Sequence, residues 1–452
     1  MKNHSYKNQT IRSSVLRRVG WVGLVALFSY GLLYSAAAQN NNRVQKAPPE
    51  RPQKQQKMEI PVQKKTGVEN NSFTMKERID KIAQNIHNEL DGHVVGYSFV
   101  VGDTIYQKSG SSGQARTSAD GAQHAFTANT KITVASVSKM VTAIAAVRIL
   151  KKNGVSVDAA IGPYLPSDWS VNNYVKNIKF SQLLSKTSGI KDYGNDPPND
   201  YAALKSFFTQ NVSTATSTPC DPKDRQGNYI QVPRGQGIIP NNHDPCYSNY
   251  NFAIFRVLLP RVAGFPEDPN SQTRPQTFAD QYTNLVQRNV FDLVGRRGVA
   301  CKPPNTAGYA FAYTYPGTKA GFDWGDVSLI CGAAGWYLSA EDMAQVLLSV
   351  SSNDGKILSN DEFETMRTKT FGWDRDDNGE LEKNGGWSAA CDSHGAHCDN
   401  ISTSVAIFEP GTGRQVVGVL FINSDISGGP SRGGSAQSVL EKAHENALTP
   451  TP

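Results

Sequence analysis

The chain has 452 residues, 38% hydrophobic and 19% charged, which suits a globular protein of one large domain or two ordinary ones. Its net charge of +6 is concentrated at the N-terminus: residues 1–38 hold five Lys/Arg and no acid, residues 39–66 hold seven Lys/Arg and two Glu, and the remainder carries −4. The body is therefore mildly acidic, which argues against nucleic acid as a partner despite a basic pI.

Residues 1–38 read as an export segment. A basic stretch ends at Arg17-Arg18, Val19–Tyr34 is uncharged and mostly apolar, and Ala36-x-Ala38 offers a cleavage site before Gln39. The alternative is an uncleaved anchor, because the uncharged run Val19–Ala38 is 20 residues and long enough to span a bilayer. Either way the body is exported, to the periplasm or the extracellular space, with envelope association through the N-terminus as an option. Residues 39–73 are rich in Gln, Asn, Lys and Pro and read as a flexible basic tether.

Order is expected from Thr74, so the domain is taken as 74–452. Thr74 and Glu77 form a capping box, and Met75, Ile79, Ile82, Ala83, Ile86 and Leu90 recur at helical spacing up to Asp91-Gly92. Two strand-like runs follow, joined at Gly102-Asp103. Lys131–Lys151 reads as one buried helix. A mostly helical insertion spans about 152–330, with 195–242 irregular. Ala340–Ser351 reads as a short amphipathic helix. Strands at Ser402–Phe408 and Gln415–Asn423, joined by a turn at Pro410–Gly413, precede a last helix over Ser435–Ala447. The order predicts an α/β (α+β) fold. One antiparallel sheet is built from both chain ends and flanked by helices, with the helical region inserted between.

Export gives the six cysteines, at 220, 246, 301, 331, 391 and 398, an oxidising compartment and up to three disulfides. Pairing of sequence neighbours (220–246, 301–331, 391–398) is the simplest arrangement. A metal site from Cys391, His394, His397 and Cys398 is the competing reading of the last pair, but Cys-x6-Cys with an internal His-x2-His lacks structural zinc spacing.

Three short motifs could carry chemistry. Ser136 and Lys139 form S-x-x-K inside an apolar helix-forming stretch, which sets both on one face, one turn apart. A lysine there takes the serine proton if burial or another cation lowers its pKa. Tyr247 and Asn249 form Y-x-N; nearby lysines would lower the tyrosine pKa and fit it as a general base, and Asn249 can hold a lysine and a substrate amide. Lys383-Asn384-Gly385-Gly386 sets a cation beside a bare strand, where a substrate carboxylate can approach and a backbone N–H can complete an oxyanion hole.

In this order the motifs make the chain resemble the serine β-lactamase and penicillin-binding protein superfamily. Y-x-N in place of S-D-N is similar to its class C β-lactamase, D-alanyl-D-alanine carboxypeptidase and esterase branch. LLSKTSGIKDY (183–193), with Lys186 where histidine is usual, and GAAGWYLSAEDMAQVL (332–347) resemble further segments of that branch, so the likeness covers about 76–447. The resemblance implies a serine hydrolase acting on a small-molecule or peptidoglycan-like amide or ester: a β-lactam, a D-Ala-D-Ala-type peptide or a carboxylic ester. Ser136 would be the acylated nucleophile, Lys139 its activator and Tyr247 the general base. Asn249 would orient Lys139 and substrate, and Lys383 would bind a carboxylate. The N–H groups of Ser136 and Gly386 would form the oxyanion hole. No cofactor or metal is implied. The third motif departs from the family in having Asn384 for a threonine. His394-Gly395-Ala396 competes for its place, because Pro410 is nearer to it; Lys383 is favoured because it keeps both cation and glycines. A non-catalytic envelope protein that binds cell-wall peptides is the alternative function, and the oligomeric state is not fixed.

Overall fold

The computed structural model describes residues 74–188, 190, 201–211, 247–305, 307–352, 354–377, 380–392, 398–409 and 415–448. The export segment, the tether, Cys220, Cys246, His394, His397 and the turn 410–413 lie outside them. Helix α1 (Met75–Leu90) starts at the expected capping box: Glu77 N donates to Thr74 Oγ1, and Thr74 N donates back to Glu77 Oε2 at 2.8 Å. Strands β1 (Gly96–Gly102) and β2 (Gln107–Arg116) form the expected hairpin, its turn held by Asp103 Oδ1, which accepts from the N–H of Ile105 and Tyr106. Then come β3 (His124–Ala125), β4 (Ile132–Thr133) and α2 (Ser138–Lys152). The insertion supplies α3 (Asn173–Asn177), α4 (Phe180–Leu184), α5 (Tyr201–Ser206), α6 (Tyr250–Ala253), α7 (Phe255–Val262) and α8 (Arg274–Val286). The C-terminal part supplies β5 (Tyr337–Leu338), α9 (Ala340–Ser351), α10 (Asn360–Thr368), β6 (Arg375–Asp377), β7 (Glu380–Ala389), β8 (Asp399–Phe408), β9 (Val416–Ile422) and α11 (Ala436–Leu448).

Two expectations change. Lys131–Lys151 is not one helix: Ile132 and Thr133 pair with Leu338 and Tyr337, and Ala135–Val137 makes a tight turn before α2 begins. An apolar run has no periodicity that separates a buried bridge from a buried helix. Within 195–242, Tyr201–Asn211 is helical, because Tyr201, Leu204, Phe207 and Phe208 are buried, with Trp169 packed on the Tyr201 and Phe208 rings.

The sheet runs in the order β3-β2-β1-β9-β8-β7-β6, antiparallel throughout, so strands from the two chain ends meet at β1 and β9. Both its faces are covered. Phe99, Val101, Phe408, Leu420 and Ile422 pack on Ile79, Ile82, Ile86, Val439 and Leu440 of α1 and α11. Alternate residues Val100, Val405, Ile407, Val419 and Phe421 join the larger core with α2 and α9. Burial on both faces explains why VVGVLFI in β9 is an unbroken apolar run rather than an alternating one. Cys301–Cys331 and Cys391–Cys398 are bonded as expected, so neither thiol of the second pair is available to a metal. No helix among the described residues is long and apolar enough to cross a membrane.

Candidate active site

Ser136 stands at the seam between the sheet and the helices. The β4–β5 ladder and the bond from Val134 N to Trp336 O (2.8 Å) fix the chain just before it. Ala135 is held at φ +43°, a left-handed conformation that costs a non-glycine residue on the order of 1 kcal/mol, and the turn continues through Val137 N to Val134 O. Ser136 is thereby presented at the N-terminal entry to α2, where the helix dipole adds positive potential.

Lys139 lies one turn further on and is buried. Its Nζ donates to Ser136 Oγ (2.9 Å), Asn249 Oδ1 (2.7 Å) and Ala333 O (2.8 Å). The segment 332–338 supplies the last acceptor because β5 is pinned to β4. Tyr247 Oη is 2.8 Å from Ser136 Oγ, and Lys139 Nζ lies 4.9 Å from the Tyr247 ring centre. The first two motifs therefore converge on one hydroxyl.

The third motif arrives from β7, whose register with β8 pairs Lys383 with Val405, Gly385 with Thr403 and Gly386 with Ser402. A Cβ on Gly385 would sit 2.8 Å from Ser136 N and 2.7 Å from Val134 O, so only glycine lets the strand pack on the nucleophile turn. Asn384 is not brought to Ser136. It alternates to the exposed side of β7, and its Nδ2 donates to Gln437 of α11. Lys383 is 1% exposed, and its Nζ donates to Asp374 Oδ2 (2.5 Å) and Asn384 O (2.8 Å). Asp374 Oδ1 accepts from Lys186 Nζ at 3.1 Å, and Lys186 also donates to Trp373 O. One carboxylate thus ties two buried ammonium groups. Desolvation opposes it, but Lys383 and Lys186 hold its pKa down at about 2.

Burial pushes the Tyr247 pKa up, although Lys383, the Ser136 hydrogen bond and Lys186 pull it down and Asp374 opposes them. This corrects the expectation of a tyrosine lowered by lysines: burial, helped by Asp374, outweighs the cations and favours the protonated phenol. Burial also lowers Lys383, against the pull of Asp374. Motif reading missed Asp374 and Ala333. The signal for Asp374 was present, since Lys186 replaces histidine in an apolar setting and a buried cation requires an anion.

Beside Ser136 a groove of about 480 Å³ opens, lined among others by Gly386, Trp387, Asn400, Ile401 and Asp425. Trp387 stacks on Trp324 with ring centres 5.1 Å apart.

A serine held by a buried lysine and a tyrosine, between an antiparallel sheet and a helical insertion, is the arrangement of serine hydrolases of the β-lactamase type. The Beta-lactamase family profile matches residues 82–432, and the chain belongs to that family. Solved structures with the same fold include a β-lactamase/D-alanine carboxypeptidase from Yersinia pestis (16% identity, TM-score 0.56, 83% of this chain and 99% of that one). Others are a class C β-lactamase from Rhodobacter sphaeroides (16%, 0.53, 81% and 99%) and a D-stereospecific amidohydrolase from Streptomyces (17%, 0.50, 81% and 98%). No curated protein sequence matches the chain.

Proposed function

We propose that the protein is an exported serine hydrolase that forms an acyl-enzyme on Ser136 with an ester or amide substrate. The carrying observation is the surroundings of Lys139 Nζ. Besides Ser136 it donates to Asn249 Oδ1 and Ala333 O, oxygens that can only accept hydrogen bonds. When the ammonium loses a proton to solvent, the two remaining N–H groups stay on those acceptors and the lone pair faces Ser136 Oγ. The amine then takes the serine proton as Oγ bonds to the substrate carbonyl carbon. The N–H groups of Ser136 and Gly386 receive the oxyanion. Collapse breaks the bond to the leaving group, which takes the Tyr247 proton. In the second step water attacks the acyl carbon and gives its proton to the Tyr247 phenolate. Lys139 returns its proton to Oγ as the acid departs.

Support for export comes from the segment 1–38 and from the two disulfides, which persist in an oxidising compartment. N-terminal sequencing of the mature protein from the cell envelope is expected to begin after Ala38, or at Met1 if the segment stays as an anchor. Recovery with the cytosolic fraction and with reduced thiols would overturn export. For the chemistry, intact mass after a short exposure to p-nitrophenyl acetate or a penicillin is expected to show one acyl group on the wild type and none on Ser136→Ala. An adduct of equal stoichiometry on the variant would overturn the assignment.

A further inference from the structure

The third motif is expected to receive a substrate carboxylate, yet its cation is already held by an anion. Lys383 Nζ is buried and donates to Asp374 Oδ2 and Asn384 O, and Asn384 turns its amide to Gln437. An incoming carboxylate would have to displace Asp374, which also holds Lys186 and accepts from Asn384 N. Apart from Lys139 beneath Ser136, the charged lining of the groove has the opposite sign. Its charged lining residue among the described ones is Asp425, whose Oδ1 accepts from Tyr315 N at 2.8 Å. Trp387, stacked on Trp324, lines the same groove, and an indole attracts a cation more strongly than a neutral group of the same shape.

We infer that the substrate lacks a carboxylate beside its reacting carbonyl, and that the groove lined by Trp387 and Asp425 takes an acyl group bearing a cationic, quaternary-ammonium-like head. This rests on the catalytic reading of Ser136. It narrows the substrate to cationic esters or amides, with neutral ones second and carboxylates last. Lys383 then acts through Tyr247, 5.9 Å from the ring centre, rather than on substrate.

Three p-nitrophenyl esters of similar length separate the cases: 4-(trimethylammonio)butanoate, its neutral carbon isostere 5,5-dimethylhexanoate, and the glutarate monoester. At low salt kcat/KM is expected to fall in that order, with about tenfold between cation and anion. Asp425→Asn keeps the acceptor for Tyr315 N and removes the charge. It is expected to reduce the cation-to-neutral ratio about fivefold, and added salt should compress the wild-type ratio in the same direction. A glutarate ester turned over faster than the neutral one, or a ratio untouched by Asp425→Asn, overturns the inference while leaving Ser136 as nucleophile. Absence of turnover of all three, with no acylation of Ser136 by a fluorophosphonate, overturns the catalytic reading and this inference with it.

Discussion

Replacing Asp374 by Asn removes the single anion between two buried ammonium groups. The carboxylate is held from its ordinary 3.8 down to about 2, which at 1.36 kcal/mol per unit corresponds to about 2 kcal/mol of stability. The substitution also leaves Lys383 and Lys186, 1% and 5% exposed, without a countercharge among the described residues. Breaking a buried pair from one side costs about 3–5 kcal/mol, so a loss of about 3 kcal/mol is expected. For a domain of this size, with an unfolding entropy of about 2.1 cal/mol/K per residue, that lowers Tm by roughly 4 °C at pH 7, read by differential scanning calorimetry. A second change, Lys186→Met, removes one of the stranded charges and is expected to restore about half of the loss.

The pH dependence gives an independent reading. The folded pKa of Asp374 lies below the unfolded one, so its contribution is present above about pH 4 and is lost as pH falls through about 2. The wild type should therefore shed about 2 kcal/mol more than Asp374→Asn between pH 5 and pH 2. A variant whose Tm at pH 7 stays within 2 °C of the wild type would refute the argument that this carboxylate neutralises the cluster.

Three further outcomes follow from the geometry. Tyr247→Phe removes the hydroxyl 2.8 Å from Ser136 Oγ and keeps the ring, so kcat on an ester should fall about 10²–10⁴-fold while Tm moves little; retained kcat would exclude Tyr247 from proton transfer. Gly385→Ala drives a methyl to 2.8 Å from Ser136 N, so acylation should slow at least tenfold with a stability loss of about 1–3 kcal/mol, and an unchanged acylation rate in stopped flow would mean that β7 does not press on the nucleophile turn. His444 is buried flat on Phe408 and its pKa is pushed down to about 3 by burial and Arg78, so its stabilising share is present above about pH 6.5 and lost on the way to 3. His444→Phe should flatten chemical-denaturation stability over that interval, and a parallel curve would rule this histidine out as the cause.

What could be read before folding was what is local in the chain. Ser136 and Lys139, Tyr247 and Asn249, and the run 383–386 are each within four residues, so their chemistry survives as motif even though the fold joins them over distances of 110 residues and more. The sheet was legible because β1, β8 and β9 are apolar runs bounded by turns, and α1, α9 and α11 keep the helical period. Elements held only by partners were not legible. A two-residue bridge such as β4 has no pattern of its own and exists because Tyr337 and Leu338 lie opposite it. Asp374 looked like one more acid in a polar stretch until Lys186, 188 positions earlier, was folded against it.

That pairing also changes the meaning of Lys383. A cation beside two glycines reads as a receptor for an anion, because sequence shows the charge but not where it is spent. With Asp374 in hydrogen-bond reach, Lys383 and Lys186 together leave a single net positive charge behind the Tyr247 ring rather than two in the groove. The same swap accounts for the missing threonine: a hydroxyl at 384 would be of use only to a carboxylate coming to Lys383, and Asn384 faces α11 instead. Lys186, Asp374 and Lys383 are therefore one connected cluster, with Lys383 5.9 Å from the Tyr247 ring centre and Asn384 turned to α11.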